Sequence, residues 1–310
     1  MPVYEGPEKK LELILSSSLP GLRSDTDGRW KRVVKSSRAK IISKVSTDFM
    51  DAYLLSESSL FVWENRVILI TCGKTAPLRS LPLLLDIVGK DKVAFLFYEQ
   101  RNFIPPGDHS TDFEKNAAEI SRWFTGKSDI PEFAGHRMNM FHYFDNAEKT
   151  QKPRTLQMMM HDLPDEVMQT FCRNGKITAS ETRRISGLEA LCDPLMMTDD
   201  HLFHPCGYSL NAIMEKQYLT VHVTPQPVNS YVSFETDIVE SGWQKVIRKV
   251  LEIFRPAEFS LILRIGMDDE DFSARKTMEP SLHGYWPAEK NLYESDCGYA
   301  VLFFSYIRQE

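Results

Sequence analysis

Short segments rich in β-branched and aromatic residues recur along this chain between turn-forming residues, a pattern typical of β-strands. Nine segments fit it: residues 40–45, 52–62, 66–72, 93–98, 138–144, 218–224, 231–235, 259–265 and 299–306. Strands joined by short turns favour antiparallel sheets over a parallel, doubly wound sheet. The sequence therefore predicts a fold built on antiparallel sheets.

Five further segments are predicted to be helices: residues 8–15, 77–88, 113–124, 165–171 and 243–254. In the last, the apolar residues Val246, Val250, Leu251 and Phe254 lie on one face. Helices at these intervals would cover the outer faces of the sheets. No stretch resembles an interdomain linker, so we expect residues 1–310 to form one α+β domain, with room for a division into two halves.

The composition limits the classes of function. A 42% hydrophobic and 26% charged chain is typical of a soluble globular protein. The net charge of −6 argues against nucleic acid as a partner. No apolar run approaches the roughly 18 residues of a membrane span, and the first residues show no signal-peptide pattern, so we expect a cytoplasmic protein. The five irregularly spaced cysteines predict reduced thiols and no disulfide framework.

Ser58 is a candidate for chemistry on the backbone itself. It belongs to the run Ser-Glu-Ser-Ser at residues 56–59, between apolar flanks. A serine hydroxyl placed to attack the preceding carbonyl, here that of Glu57, would cut the chain and leave a reactive carbonyl. Cys72 follows a second apolar run and is the nearest thiol in sequence. Taken singly, such a serine run is typical of a polar strand edge, and such a cysteine of a small buried apolar residue.

A tight turn at residues 63–66 is predicted to bring Ser58 and Cys72 together. If the loop has two residues, Ser58 lies opposite Thr71. If it has three, Ser58 lies opposite Ile70, because a shift of one residue exchanges the faces of a strand. Both registers keep Cys72 within a few residues of the Ser58 amide bond.

A second cluster lies at residues 203–225. Alternation along residues 218–224 predicts one core-facing set, Leu219, Val221 and Val223, and an opposite set, Thr220, His222 and Thr224. His222 could act as a base, although a hydrogen-bonded structural histidine is the commoner case. Ser209 would reach the same site if the two strands are neighbours. Neither Cys206 nor the pair His201 and His204 has the spacing of a metal site, so no metal is expected.

These clusters, with an N-terminal block, resemble the eukaryotic S-adenosylmethionine decarboxylases, which are pyruvoyl-dependent, self-cleaving proenzymes. Five ordered blocks carry the resemblance: residues 5–12, 55–59, 71–73, 205–209 and 222–235. The resemblance extends over nearly the whole chain. It implies a four-layer αββα sandwich of two mainly antiparallel sheets flanked by helices.

The resemblance also implies a reaction. Cleavage between Glu57 and Ser58 would give a small β chain, residues 1–57, and a large α chain, residues 58–310. Ser209 would steady the attack and His222 would remove the Ser58 α-proton, so that Ser58 becomes a pyruvoyl group. That group would form a Schiff base with S-adenosylmethionine and act as an electron sink. Cys72 would then donate a proton to the decarboxylated carbon, and the product would supply aminopropyl groups for spermidine and spermine.

The resemblance also implies which residues bind the substrate. The aromatic pair Tyr4 and Phe203 would sandwich adenine. Glu5 and Glu8 match active-site acids, which suit a cationic substrate. Leu55 and Gln226 complete the substrate-binding set. Gln226 stands where the family usually has a glutamate that holds the ribose hydroxyls, and its amide still accepts a hydrogen bond.

The site at which putrescine activates the animal enzymes is altered in this chain. Three of its positions match: Glu12, Thr155 and Glu235. Two other acids are replaced by Pro153 and Gln157, and a lysine by Ile70. Lys10 and Arg154 are candidate internal cations that would neutralise the buried acids. We therefore predict constitutive activity, with weak or absent stimulation by putrescine.

Two other interpretations compete. The chain could be a weakly active paralogue that serves as the regulatory subunit of a decarboxylase, or a binding module in which the serine run is incidental. Such paralogues have typically lost the processing serine, whereas this chain keeps Ser58, Cys72, Ser209 and His222, which favours the enzyme. A homodimer or a heterodimer with a paralogue is compatible with either.

Overall fold

The structure is a computed structural model. It describes residues 8–56, 58–103, 112–129, 132–133, 136–145, 154–172, 177–227, 230–238, 243–270, 272–273, 280–296 and 298–309. The chain divides into two compact units, an N-terminal unit of residues 5–151 and a C-terminal unit of residues 152–310.

The N-terminal unit contains one antiparallel sheet and three α-helices among its described residues. Its strands are β1 (Glu8–Leu15), β2 (Ile41–Ser46), β3 (Met50–Leu55), β4 (Ser58–Trp63), β5 (Arg66–Thr71), β6 (Val93–Phe103), β7 (Lys127–Asp129), β8 (Glu132–Phe133) and β9 (His136–Phe144). Its helices are α1 (Arg29–Ser36), α2 (Leu81–Val88) and α3 (Asp112–Ser121), and Pro77–Ser80 and Lys90–Lys92 are 3₁₀ turns. The strands follow the order β2-β3-β4-β5-β1-β6-β9-β7, and β8 pairs with β9.

Strand β1 lies between β5 and β6, so the prediction of a helix at residues 8–15 is wrong. Leu11, Leu13 and Leu15 alternate into the apolar core that the helices of this unit cover. The glutamates, lysines and leucines of this segment are good helix formers, but pairing on both edges with neighbouring strands overrides so weak a preference.

The single strand predicted at residues 52–62 is also wrong, because the chain reverses there and forms β3 and β4. Both strands are buried along their length. Their apolar residues made the segment look continuous in sequence. The polar residues between them mark the reversal.

The C-terminal unit repeats the plan with one antiparallel sheet and three α-helices among its described residues. Its strands are β10 (Thr155–His161), β11 (Met197–Leu202), β12 (Tyr208–Met214), β13 (Gln217–Thr224), β14 (Tyr231–Thr236), β15 (Glu258–Gly266), β16 (Tyr285–Glu294) and β17 (Tyr299–Arg308). Its helices are α4 (Asp165–Thr170), α5 (Ala179–Ser186) and α6 (Trp243–Phe254), with a 3₁₀ turn at Leu188–Leu191. The strand order is β11-β12-β13-β14-β10-β15-β17-β16.

Helix α6 confirms the prediction for residues 243–254. It buries Trp243, Ile247, Val250, Leu251 and Phe254 in the core of this unit. The same core receives alternate residues of the strands, including the predicted set Leu219, Val221 and Val223. The opposite face of β13 is thereby left for polar side chains.

The predicted α+β class, with two antiparallel sheets and flanking helices, is confirmed. The predicted strands at residues 40–45, 66–72, 138–144, 218–224, 231–235, 259–265 and 299–306 end within about two residues of the observed ones, whereas β6 runs five residues further than predicted. Strands β7, β8, β10, β11, β12 and β16 and helices α1 and α5 were not predicted.

Candidate active site

The bond that the sequence predicts to be cut precedes Ser58, the first residue of β4. Leu55 and Ser58 are paired across the two strands, so Ser56 and residue 57 form a two-residue connection. Glu57 itself lies outside the described residues.

Ser58 has a backbone φ of +126°, in a region that only glycine adopts readily. A residue held in such a conformation costs on the order of 1–3 kcal/mol. Strain of this kind is concentrated in proteins at functional sites. Here it falls on the residue whose amide bond the sequence predicts to be cut, so that cutting this bond would also release the strain.

The register of β4 and β5 decides between the two predicted hairpins. Ser58 pairs with Thr71, which corresponds to the two-residue loop. Both hydroxyls are buried, and neither Ser58 Oγ nor Thr71 Oγ1 has a hydrogen-bond partner among the described residues. Unpaired buried hydroxyls are uncommon. No hydrogen bond from the described part of the chain thus holds the Ser58 hydroxyl, which leaves it available to react.

Cys72 follows β5 as a partly buried cysteine, and hydrogen bonds tie the loop that carries it to β1. The Lys9 Nζ donates to the carbonyls of Gly73 at 3.0 Å and Thr75 at 2.7 Å. The Thr75 hydroxyl donates to the Cys72 carbonyl at 2.5 Å. Lys9 lies opposite Thr71 in the sheet, which brings its side chain to this loop. Sequence reasoning missed Lys9 because it assigned β1 to a helix.

Ser209 and His222 face each other on the neighbouring strands β12 and β13. The Ser209 Oγ lies 2.8 Å from His222 Nδ1. On the other side of the ring, the Thr220 Oγ1 lies 2.9 Å from His222 Nε2. Ser209 was predicted to reach the site of His222 if their strands are neighbours, and this condition is met.

The environment of His222 keeps its imidazole neutral. Burial lowers its pKa from 6.5 to about 4, although the negative charge of Glu235 opposes this shift. A neutral imidazole has one nitrogen without a proton, which can accept one. The ring is therefore in the form that a general base requires at neutral pH.

Glu235 belongs to a buried polar row on the same sheet. Its carboxylate accepts short hydrogen bonds from the Gln157 amide and the Tyr218 hydroxyl. Next in the row, the fully buried Arg264 donates from Nε to the Thr155 hydroxyl at 2.9 Å. Arg264 was not predicted, since nothing local in its apolar strand indicates a charged partner.

Glu12 and Arg154, both predicted at the altered putrescine site, each form an ion pair. The Glu12 Oε1 lies 2.7 Å from Arg66 Nε in the N-terminal unit. Arg154 Nε lies 2.6 Å from Asp269 Oδ2 in the C-terminal unit. Lys10 is buried. Arg66 was not among the predicted cations, because its pairing with Glu12 joins residues far apart in sequence.

The remaining predicted binding residues divide between the units. Glu8 begins β1 and is half-buried, and Leu55 is fully buried at the end of β3. Phe203 and Gln226 are half-buried in the C-terminal unit. The Phe203 ring packs edge-on against the His201 ring, with 4.6 Å between the ring centres. Tyr4 and Glu5 lie outside the described residues, as does Pro153.

A disulfide joins Cys172 and Cys206, so the expectation of no disulfide is wrong. It ties the segment after α4 to the turn that leads into Ser209. The same turn is held by a bond from the Gly207 amide to the Phe171 carbonyl at 3.0 Å. Gly207 has φ +127°, and a Cβ there would lie 3.3 Å from Phe203 Cβ, so the position favours glycine. A separation of 34 residues gives no sequence signal for this pairing.

The family model for adenosylmethionine decarboxylase matches residues 2–307. The chain belongs to this family. It is 31% identical to the S-adenosylmethionine decarboxylase proenzyme of Drosophila melanogaster, over 99% of this chain and 96% of that protein. Identity to the proenzyme of Leishmania donovani is 33%, over 98% of this chain and 86% of that protein. The predicted family is thereby confirmed.

Among solved structures, the decarboxylase chain is similar to the Trypanosoma brucei AdoMetDC-delta26 monomer. The TM-score is 0.67 at 25% identity, and the match covers 81% of this chain and 99% of that one. Within the described residues of this decarboxylase-family chain, no helix is long and apolar enough to cross a membrane, and no cluster of three histidine, cysteine, aspartate or glutamate residues could hold a metal ion.

Proposed function

We propose that this chain is a self-processing S-adenosylmethionine decarboxylase that generates its own pyruvoyl group from Ser58. The observation that carries the proposal is Ser58 itself, a non-glycine residue with φ +126° next to a tight turn, whose buried hydroxyl has no partner among the described residues. These features fit a serine that reacts with the bond before it. A pyruvoyl group supplies an electron sink for decarboxylation when it is present.

Processing follows from the groups in place. The Ser58 hydroxyl attacks the Glu57 carbonyl, the peptide C–N bond breaks, and an ester forms. His222, neutral at pH 7, accepts the Ser58 α-proton, and Glu57 leaves as a carboxylate. Water then replaces the nitrogen, which departs as ammonia. Ser209, hydrogen-bonded to His222, steadies the first step.

Substrate contacts are proposed for the remaining residues. Tyr4 and Phe203 stack on adenine, Glu5 and Glu8 face the cationic substrate, and Leu55 and Gln226 complete the site. Cys72 donates a proton to the product carbon. A cytoplasmic location and assembly as a homodimer or paralogue heterodimer are further proposals.

Denaturing electrophoresis with intact-mass measurement tests the proposal. A self-processed chain should give two fragments, residues 1–57 and 58–310, with the mass of a pyruvoyl group and not of a serine at the head of the larger one. A single intact band, in a preparation that releases no carbon dioxide, would contradict it and would favour a regulatory paralogue.

Activity should not depend on putrescine. Glu12 already pairs with Arg66 at 2.7 Å, and Glu235 is held by Tyr218 and Gln157. Since buried acids with partners have no need of an added diamine, we expect the decarboxylation rate with saturating putrescine to equal the rate without it. The measurement is carbon dioxide release by purified enzyme, and a several-fold rise would exclude internal neutralisation.

Lys9→Met should slow decarboxylation about tenfold while processing continues. The substitution removes the two hydrogen bonds that hold the Cys72 loop, so the thiol would no longer be fixed relative to the product carbon. Ser58 stays paired with Leu55 and Thr71 in the sheet, and the substitution leaves this backbone pairing in place, so the two fragments should still form.

Two variants control for the change in charge. Lys9→Arg keeps a donor and should retain most of the activity. Lys31→Met removes an exposed lysine of α1 and should have no effect. Equal activity of Lys9→Met and Lys31→Met would show that decarboxylation does not require the hydrogen bonds from Lys9 to the Cys72 loop.

A further inference from the structure

A chain of hydrogen bonds extends behind the His222 ring. The Thr220 Oγ1 lies 2.9 Å from His222 Nε2. The same hydroxyl donates to the Asn211 Oδ1 at 2.9 Å. Both residues are essentially inaccessible, with exposures of 2% for Thr220 and 0% for Asn211, so water does not compete for these bonds.

The protons in this chain can be assigned one by one. A threonine hydroxyl has a single proton, and Thr220 gives it to Asn211. Towards His222, Thr220 can therefore only accept, so the proton of the neutral ring must be on Nε2. The other nitrogen, Nδ1, is then bare and accepts the proton of the Ser209 hydroxyl, 2.8 Å away.

The sheet fixes this arrangement geometrically. Ser209 pairs with His222, and Asn211 pairs with Thr220, on adjacent same-face positions of β12 and β13. Two backbone pairs thus set the places of all four side chains. A histidine whose orientation is determined on both nitrogens cannot rotate or exchange its ring proton without breaking a buried bond.

We propose that Thr220 and Asn211 are positioning residues that keep the proton of His222 on Nε2 and so make Nδ1 the basic atom. The inference rests on the proposed function in one respect, namely that His222 serves as the base in processing. It assigns to the pair a role that neither residue type suggests from sequence.

The direct test is the tautomer of the ring. In the ¹⁵N-histidine-labelled protein, two-bond ¹H–¹⁵N correlation spectra distinguish a protonated nitrogen from a bare one. The signal of His222 is identified by its loss in His222→Gln. We expect Nε2 to be protonated and Nδ1 bare in the parent chain. The opposite tautomer, or a mixture of both, in the parent chain would overturn the proposal.

Thr220→Val tests whether the hydroxyl is the cause. It preserves the shape of the side chain but removes the acceptor, so we expect a mixture of tautomers and processing slowed by about tenfold or more. Thr220→Ser should restore both. Thr182→Val is the matched control, because Thr182 is an equally buried threonine of this unit whose hydroxyl bonds only to a helix carbonyl.

The outcomes separate the two ideas. A mixed tautomer with slow processing, both restored by serine, supports the proposal together with the role of His222. A mixed tautomer with unchanged processing supports the positioning of the ring but removes His222 from the reaction. An unchanged tautomer in Thr220→Val, or an equal loss of processing in Thr182→Val, overturns the proposal.

Discussion

Replacing Ser58 with alanine should leave the chain uncut and abolish the release of carbon dioxide from S-adenosylmethionine. The hydroxyl is the attacking group, and its oxygen is the one that leaves in the Glu57 carboxylate so that a pyruvoyl group can form, and no other side chain can substitute for it. Electrophoresis and intact mass report the first effect and a carbon dioxide assay the second. Decarboxylation at the native rate by Ser58→Ala would refute the proposed function.

Two variants make the Ser58 result specific. Ser59→Ala removes the next hydroxyl of β4, which is equally buried, and should be cut normally. Ser58→Gly also lacks the attacking group, but glycine adopts a φ of +126° with little strain. In urea unfolding we therefore expect Ser58→Gly to be more stable than Ser58→Ala by roughly 1 kcal/mol. Equal stabilities would indicate that the turn is not strained.

His222→Gln should slow processing by about 100-fold or more, the usual contribution of a general base. The ester formed by Ser58 should then accumulate, and hydroxylamine, which attacks esters faster than amides, should cut the variant between residues 57 and 58. Normal processing by His222→Gln would eliminate it as the base. Ser260→Ala, which alters another buried polar residue of the same sheet, does not remove the base and should therefore still process.

The pH dependence of processing and stability gives a separate check on His222. Because burial lowers the pKa of His222 to about 4, processing should persist when the pH is lowered from 7 to about 5. An exposed histidine would lose its basic form near 6.5.

Stability should change in the same pH range with a definite sign. As the pH falls from about 6.5 to 4, the unfolded chain binds a proton that the folded His222 does not, so the free energy of unfolding decreases. The loss amounts to about 3 kcal/mol in total, and it should be absent from His222→Gln. Urea unfolding of the uncut Ser58→Ala chain, with and without His222→Gln, measures the difference across this range.

Four residues of the candidate site could be chosen from the sequence, but the register of the hairpin could not be fixed. Ser58, Cys72, Ser209 and His222 could be chosen as candidates because their blocks are local and ordered, and alternation correctly placed His222 opposite the core. The hairpin register was left open, since a shift of one residue satisfies the same apolar pattern.

Contacts between residues far apart in sequence could not be predicted. The contact of Arg66 with Glu12, the Cys172–Cys206 bond and the clamp by Lys9 each join segments that only the folded sheet brings together. Strand β1 shows why, because its helix-forming composition is overruled by partners on both edges.

The interior position of β1 has a consequence for the association and refolding of the two pieces after cleavage. If the backbone is severed after residue 57, the smaller piece still contributes β1, β2 and β3 to the sheet, and β1 remains between β5 and β6. The two pieces would stay together as one body without a covalent link. Once denatured, however, they would have to find each other in solution, and renaturation would depend on concentration. Cleavage of this kind must therefore come after the sheet is assembled. A cut enzyme that unfolds in dilute solution would not refold, because its two pieces would no longer be joined.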